Sequence, residues 1–106
     1  MSRKQLSKGD CRNVLVVAIT PRNEDQQVDL DGVRRNSRYL IQNGVNFIMP
    51  ECGTGLVYDA SLAEYEAVVG TFIDEVGDKS HVVPGIGPGF GRSFDMGSIA
   101  KDLGVD

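Results

Sequence analysis

The apolar run Phe47-Ile48-Met49-Pro50-Glu51 leads directly into a Cys52-Gly53-Thr54-Gly55 turn. A glycine-rich turn at a strand end lets main-chain N–H groups approach a small molecule, and a threonine adds a hydroxyl that both donates and accepts. Gly53, Thr54 and Gly55 are therefore the candidate binding residues, and a compact anion such as a carboxylate is the ligand they suit. Other groups nearby could do chemistry. Glu51 can orient a substrate hydroxyl or act as a general base, although a carboxylate at a strand end is as often a surface residue. Cys52 needs a base beside it to act as a nucleophile. The only histidine, His81, opens a later strand at the end away from the turn, so a buried structural thiol is the expected role of Cys52. Thr20, which ends an earlier apolar run, is a further pocket candidate. Tyr58 either lines the pocket or packs under the next helix. Arg92 is a candidate contact for a second carboxylate. The stretch from Gly85 to Gly91 resembles a nucleotide loop only superficially, since G-x-G-x-x-G needs glycine where Phe90 stands. It reads instead as a loop on the ligand side. No metal site is read from the sequence.

These residues must be positioned by α/β units. Val14 to Thr20 is a continuous apolar, β-branched run, the pattern of a strand buried on both faces of a parallel sheet, and Pro21 ends it. Asp29 is placed to cap a helix with apolar Leu30, Val33, Leu40 and Ile41, which Gly44 stops in the left-handed conformation. A second strand is expected over 46–50. Ser61-Leu62-Ala63-Glu64 fits the reciprocal capping box, and Leu62, Tyr65, Val68, Val69, Phe72, Ile73 and Val76 form one apolar stripe closed by Gly77. His81 to Pro84 reads as a third strand, followed by a third helix carrying Phe94, Ile99 and Leu103. Three βα units in a row imply parallel strands. Residues 1–13 form a polar lead-in with at most a helical turn. Leu103-Gly104-Val105-Asp106 echoes the passage from the first helix into the second strand. The chain is therefore expected to be the amino-terminal piece of a longer α/β protein, with open sheet edges that make it marginal alone or drive it to associate.

Composition narrows the function classes. The 106 residues, 41% hydrophobic and 25% charged, suit one globular domain. A net charge of -4 argues against nucleic acid as the partner. Arg34, Arg35 and Arg38 read as a solvated helix face offset by Asp29 and Asp31. No apolar run approaches the ~20 residues that span a bilayer, so no membrane role is expected. Cys11 and Cys52 read as reduced thiols, and the cytoplasm is the expected compartment.

The succession Val17-Ala18-Ile19-Thr20-Pro21, Gly44-Val45-Asn46, Cys52-Gly53-Thr54-Gly55 and Val83-Pro84-Gly85-Ile86-Gly87 resembles the dihydrodipicolinate synthase and N-acetylneuraminate lyase family. The similarity runs over residues 14–106 and implies a parallel (β/α)8 TIM barrel, here about its first three βα units. The family resemblance implies a Schiff base between a lysine and a 2-keto acid, usually pyruvate or a sugar-derived relative, with no other cofactor. In the family the turn usually reads Gly-Thr-Thr-Gly-Glu, and its threonines hold the keto acid's carboxylate and relay a proton. Cys52, Gly53, Thr54, Gly55 and Leu56 stand at those positions. The carboxylate cradle is compatible with these changes, whereas the relay through the first threonine is lost at Gly53. The Gly-Thr-Gly core is similar to that of the sugar-acid dehydratases, such as the keto-deoxyglucarate dehydratases, although those usually keep the acidic residue that is Leu56 here. The lysine and the proton-shuttling tyrosine would lie on strands beyond Asp106. Lys4, Lys8, Lys79 and Lys101 are poor substitutes, so the chain alone is expected to lack turnover. The family also implies a homo-oligomer. The rival reading is a small non-catalytic α/β protein that binds anions or a partner. A flavodoxin-like domain is the structural rival, but it would normally use about five strands.

Overall fold

The computed structural model describes residues 5–106, so the expectation for Lys4 lies outside the described residues. Three βα units follow one another: β1 (Val16–Val17), α1 (Leu30–Gln42), β2 (Phe47–Met49), α2 (Leu62–Val76), β3 (His81–Val82) and α3 (Phe90–Leu103). The strands pair in parallel in the order β1-β2-β3, with Val16, Ile48 and Val82 at one level. The helical turn expected in the lead-in is a 3-10 turn over Lys8–Cys11.

The helices begin where local chemistry starts them. The Asp29 carboxylate accepts from the Gly32 amide at 3.0 Å. Ser61 and Glu64 form the reciprocal box: the Glu64 amide donates to Ser61 Oγ at 3.1 Å and the Ser61 amide to Glu64 Oε1 at 3.2 Å. Each such cap contributes about 1 kcal/mol. Gly44 follows α1 at φ 84°, the left-handed stop expected there. Gly77 closes α2 without leaving the right-handed region, at φ -62°.

The assigned strands are shorter than the apolar runs that encode them, but their pairing extends further. The carbonyls of Asn46, Ile48 and Pro50 accept in turn from the amides of His81, Val83 and Gly85, and Met49 O accepts from Ala18. Ala18, Ile48 and Val82 present one face of the sheet to Val33 of α1 and to Val68, Phe72 and Val76 of α2. A second cluster joins Val57 and α2 residues Tyr65 and Val69 to Met96 and Ala100 of α3.

One expectation is corrected. The first strand is not buried on both faces: Val14 is 68% exposed, and Leu15, Val17 and Ile19 are exposed too. Helices cover one face of β1, and no described layer covers the other. Phe94 is also exposed, at 69%. α3 docks through Met96, Ile99, Ala100 and Leu103, the i, i+3, i+4, i+7 stripe, and Phe94 lies off that stripe.

Candidate functional site

The turn after β2 stands at the carboxyl end of the sheet, where loops of parallel α/β folds gather ligands. Two internal bonds close it: the Leu56 amide donates to Gly53 O at 3.0 Å and the Val57 amide to Cys52 O at 3.2 Å. The amides of Gly53, Thr54 and Gly55 donate to no acceptor among the described residues. Gly53 and Thr54 are exposed, and Gly55 is buried beneath them. Three consecutive unpaired N–H groups are the donors that a main-chain anion site uses, and the exposed Thr54 adds a hydroxyl.

The glycines serve a different purpose from the one their type implies. Left-handed backbone in this segment falls on Glu51 (φ 51°) and Leu56 (φ 62°), which bracket the turn. Non-glycine residues in that region cost about 1–3 kcal/mol each and persist where the surroundings hold them. Gly55 is required for close approach, because a Cβ there would stand 2.9 Å from Ala18 O and 3.1 Å from Glu51 N. Around Gly53 a Cβ would meet nothing within 4 Å.

Glu51 is not a surface residue: it is 1% exposed, and its Oε2 has no hydrogen-bond partner. Burial raises its carboxyl above the ordinary 4.5, outweighing the Thr20 hydrogen bond that favours the charged form. Thr20 Oγ1 lies 2.8 Å from Gly55 O and 3.2 Å from Glu51 Oε1. A hydroxyl has one hydrogen to give. Shared with the closer Gly55 carbonyl, that hydrogen makes only a long bond to Glu51 Oε1, so it offsets the effect of burial only in part.

The remaining candidates are built into the frame. Tyr58 is exposed, and its hydroxyl donates to Gly53 O at 3.3 Å, so it stands over the turn and not under α2. Arg92 commits its guanidinium to main-chain carbonyls: Nη1 donates to Gly87 O at 3.0 Å, and Nη2 to Val57 O at 2.8 Å and to Ala60 O. That fork ties α3 to the segment after the turn. Cys52 is half-buried, with Sγ 3.6 Å from Pro50 O, and burial pushes its thiol up, away from nucleophilic character. Both cysteines are free. His81 is at the other end of the sheet's pairing, with Nε2 3.4 Å from Asp10 and Nδ1 3.4 Å from Asp106.

Tyr65 was legible only as a stripe residue. It is fully buried, and its hydroxyl donates to Gly85 O at 2.8 Å, locking α2 to the loop after β3. Burial pushes that phenol up to about 12, so it stays protonated as a donor. Gly85 packs on the same spot: a Cβ there would lie 2.5 Å from Glu51 O. No pattern in the sequence marks either contact, because both link residues from separate units. Lys8, Lys79 and Lys101 are all exposed. Arg34, Arg35 and Arg38 pair with Asp31, Asp29 and Glu75 on the helix surface. No described helix is long and apolar enough to cross a membrane. Among the described residues no group of three His, Cys, Asp or Glu side chains is arranged for a metal ion.

Residues 10–106 match the model of the dihydrodipicolinate synthetase family. A 4-hydroxy-tetrahydrodipicolinate synthase of Methanospirillum hungatei is 38% identical over 96 residues, covering 88% of this chain and 33% of that protein. A probable 5-dehydro-4-deoxyglucarate dehydratase of Streptomyces avermitilis is 31% identical over 103 residues, covering 97% of this chain and 31% of its own length. The chain thus spans about a third of these relatives. Among solved structures, a dihydrodipicolinate synthase of Acinetobacter baumannii complexed with pyruvate superposes with a TM-score of 0.81 at 28% identity, over 87% of this chain and 32% of that one. The three βα units therefore belong to the parallel (β/α)8-barrel class.

Proposed function

Because this chain belongs to the dihydrodipicolinate synthetase family, we propose that it is the amino-terminal part of a Schiff-base-forming lyase, synthase or dehydratase acting on a 2-keto acid. Its contribution is the turn that holds the keto acid's carboxylate. The single observation carrying this reading is the run of unpaired amides on Gly53, Thr54 and Gly55 at the carboxyl end of β2. The carboxylate accepts from these N–H groups and from the Thr54 hydroxyl, while Tyr58 bounds the exposed side and Thr20 and Glu51 lie on the buried side. Cys52 and Arg92 hold the turn's shape. A turn fixed in this way presents its donors with little reorganisation when the anion arrives.

The reaction rests on a lysine Schiff base, placed with the shuttling tyrosine on strands after β3, and needs no separate cofactor. A Schiff-base lysine must be desolvated to be nucleophilic at neutral pH. Lys8, Lys79 and Lys101 are exposed, so this chain binds the keto acid without turning it over. Gly53 has no hydroxyl to relay a proton as a synthase of this family does, which favours the sugar-acid dehydratase branch over dihydrodipicolinate synthesis. The protein acts in the cytoplasm as a homo-oligomer.

Incubation of the chain with pyruvate and borohydride, followed by intact mass, tests the assignment. The expected result is reversible pyruvate binding with no reduced adduct. A stable adduct on any lysine of this chain would overturn it.

A further inference from the structure

Beneath the turn lies a carboxyl group with no assigned work. Glu51 is 1% exposed in a left-handed conformation, and its Oε2 is the one buried side-chain oxygen or nitrogen without a partner among the described residues. Its place is held by main chain on two sides, since the positions of Gly55 and Gly85 leave no room for a Cβ against Glu51 N and O. The charged and titratable groups facing it are Arg22 from the loop after β1, Glu64 and Tyr65 from α2, Arg92 from α3, and Cys52 beside it. Neither cation is paired with it. Arg22 Nη1 lies 2.7 Å from both Glu64 Oε2 and Gln26 O, and Arg92 is committed to three carbonyls. A buried carboxylate without a cation or a full set of donors is strongly disfavoured against its protonated form.

A side-chain contact connects this acid to the turn's main chain. Thr20 Oγ1 touches Glu51 Oε1 on one side and Gly55 O on the other, and Thr20 itself is half-buried. An anion resting on Gly53 to Gly55 adds negative charge close to Glu51 and makes its ionised form less favourable still. We propose that Glu51 is the proton-binding residue of this turn: its buried carboxyl takes up a proton from solvent as a keto-acid carboxylate settles on Gly53–Gly55, and Thr20 links the two. The step adds one proton to Glu51 and breaks no other bond. It leaves a neutral acid on the buried side of the turn, in contact with Thr20.

This inference rests on the turn binding a keto acid, and the experiment separates the two claims. Pyruvate binding to the chain is followed by calorimetry in buffers of differing ionisation enthalpy, across the pH range above the ordinary glutamate value. Pyruvate is itself fully ionised there, so any proton taken up goes to the protein. The wild type is expected to take up close to one proton per pyruvate at the maximum. Its affinity should fall by up to tenfold per pH unit once free Glu51 is ionised. Glu51→Gln, neutral at every pH and close in shape, should bind with no proton uptake and a flat profile. Thr20→Val is a second variant that keeps the acid, and loss of its hydrogen bond should move the uptake maximum to higher pH. Proton uptake that is absent in the wild type, unchanged in Glu51→Gln or unmoved in Thr20→Val would overturn the proposal while leaving the turn's role intact. Failure of the wild type to bind pyruvate at any pH would overturn both.

Discussion

Replacing Gly85 by alanine should destabilise the protein through the site itself. The added Cβ would stand 2.5 Å from Glu51 O and 3.2 Å from Cys52 Cα and Sγ. The first contact is about 1 Å inside the range where non-bonded carbon contacts become attractive. Its partner is a main-chain oxygen that cannot swing away, because the Gly85 amide bonds Pro50 O at 3.1 Å and Glu51 already sits at φ 51°. Overpacking of this kind costs about 1–3 kcal/mol. At about 4–8 °C per kcal/mol for a domain of this size, the Tm should fall by about 4–24 °C. Gly53→Ala is the matched comparison, since its Cβ meets nothing within 4 Å and the backbone there is not left-handed. It should leave stability unchanged or raise it by up to about 1 kcal/mol by restricting the unfolded chain. Thermal and urea unfolding followed by circular dichroism reads both. Equal effects for the two substitutions would refute the claim that β3's loop is packed directly on Glu51.

Ser61→Ala removes one half of the capping box and should cost about 1 kcal/mol, read as a lower urea midpoint with an unchanged slope; no change in midpoint would contradict the cap. Glu51→Gln should alter the pH dependence of stability. The folded carboxyl holds its proton above the ordinary 4.5, so its contribution is fully present below that pH and is lost as pH rises through the folded value. The Gln variant should therefore gain on the wild type as pH rises, and parallel stability curves would contradict a buried acid. Sedimentation should show association of the chain through the uncovered side of β1, where Leu15, Val17 and Ile19 are exposed. A monodisperse, well-folded monomer would contradict that expectation.

The parts of this fold that were legible in the sequence are those set by neighbours along the chain. Asp29 and the Ser61–Glu64 box mark helix starts because capping is settled within one helical turn, and the stripe on α2 shows its buried face because the period is local. The turn's position was legible for the same reason. Its mechanics were not. The glycines were read as letting the backbone approach a ligand, whereas Gly55 is small to let Ala18 and Glu51 approach, and the left-handed backbone falls on Glu51 and Leu56. Arg92 looked like a ligand contact because nothing local shows that carbonyls from Val57, Ala60 and Gly87 converge on it. The same blindness to long-range packing left Glu51 divided between surface and site.

The central claim, that the Gly53-Thr54-Gly55 turn holds a keto-acid carboxylate, is tested most directly by amide-resolved NMR of the 15N-labelled chain titrated with pyruvate. Saturable shifts centred on the amides of Gly53, Thr54 and Gly55, weakened in Thr54→Val, are the result expected. Saturation elsewhere with those three amides unmoved, or no saturable shift at all, would contradict it.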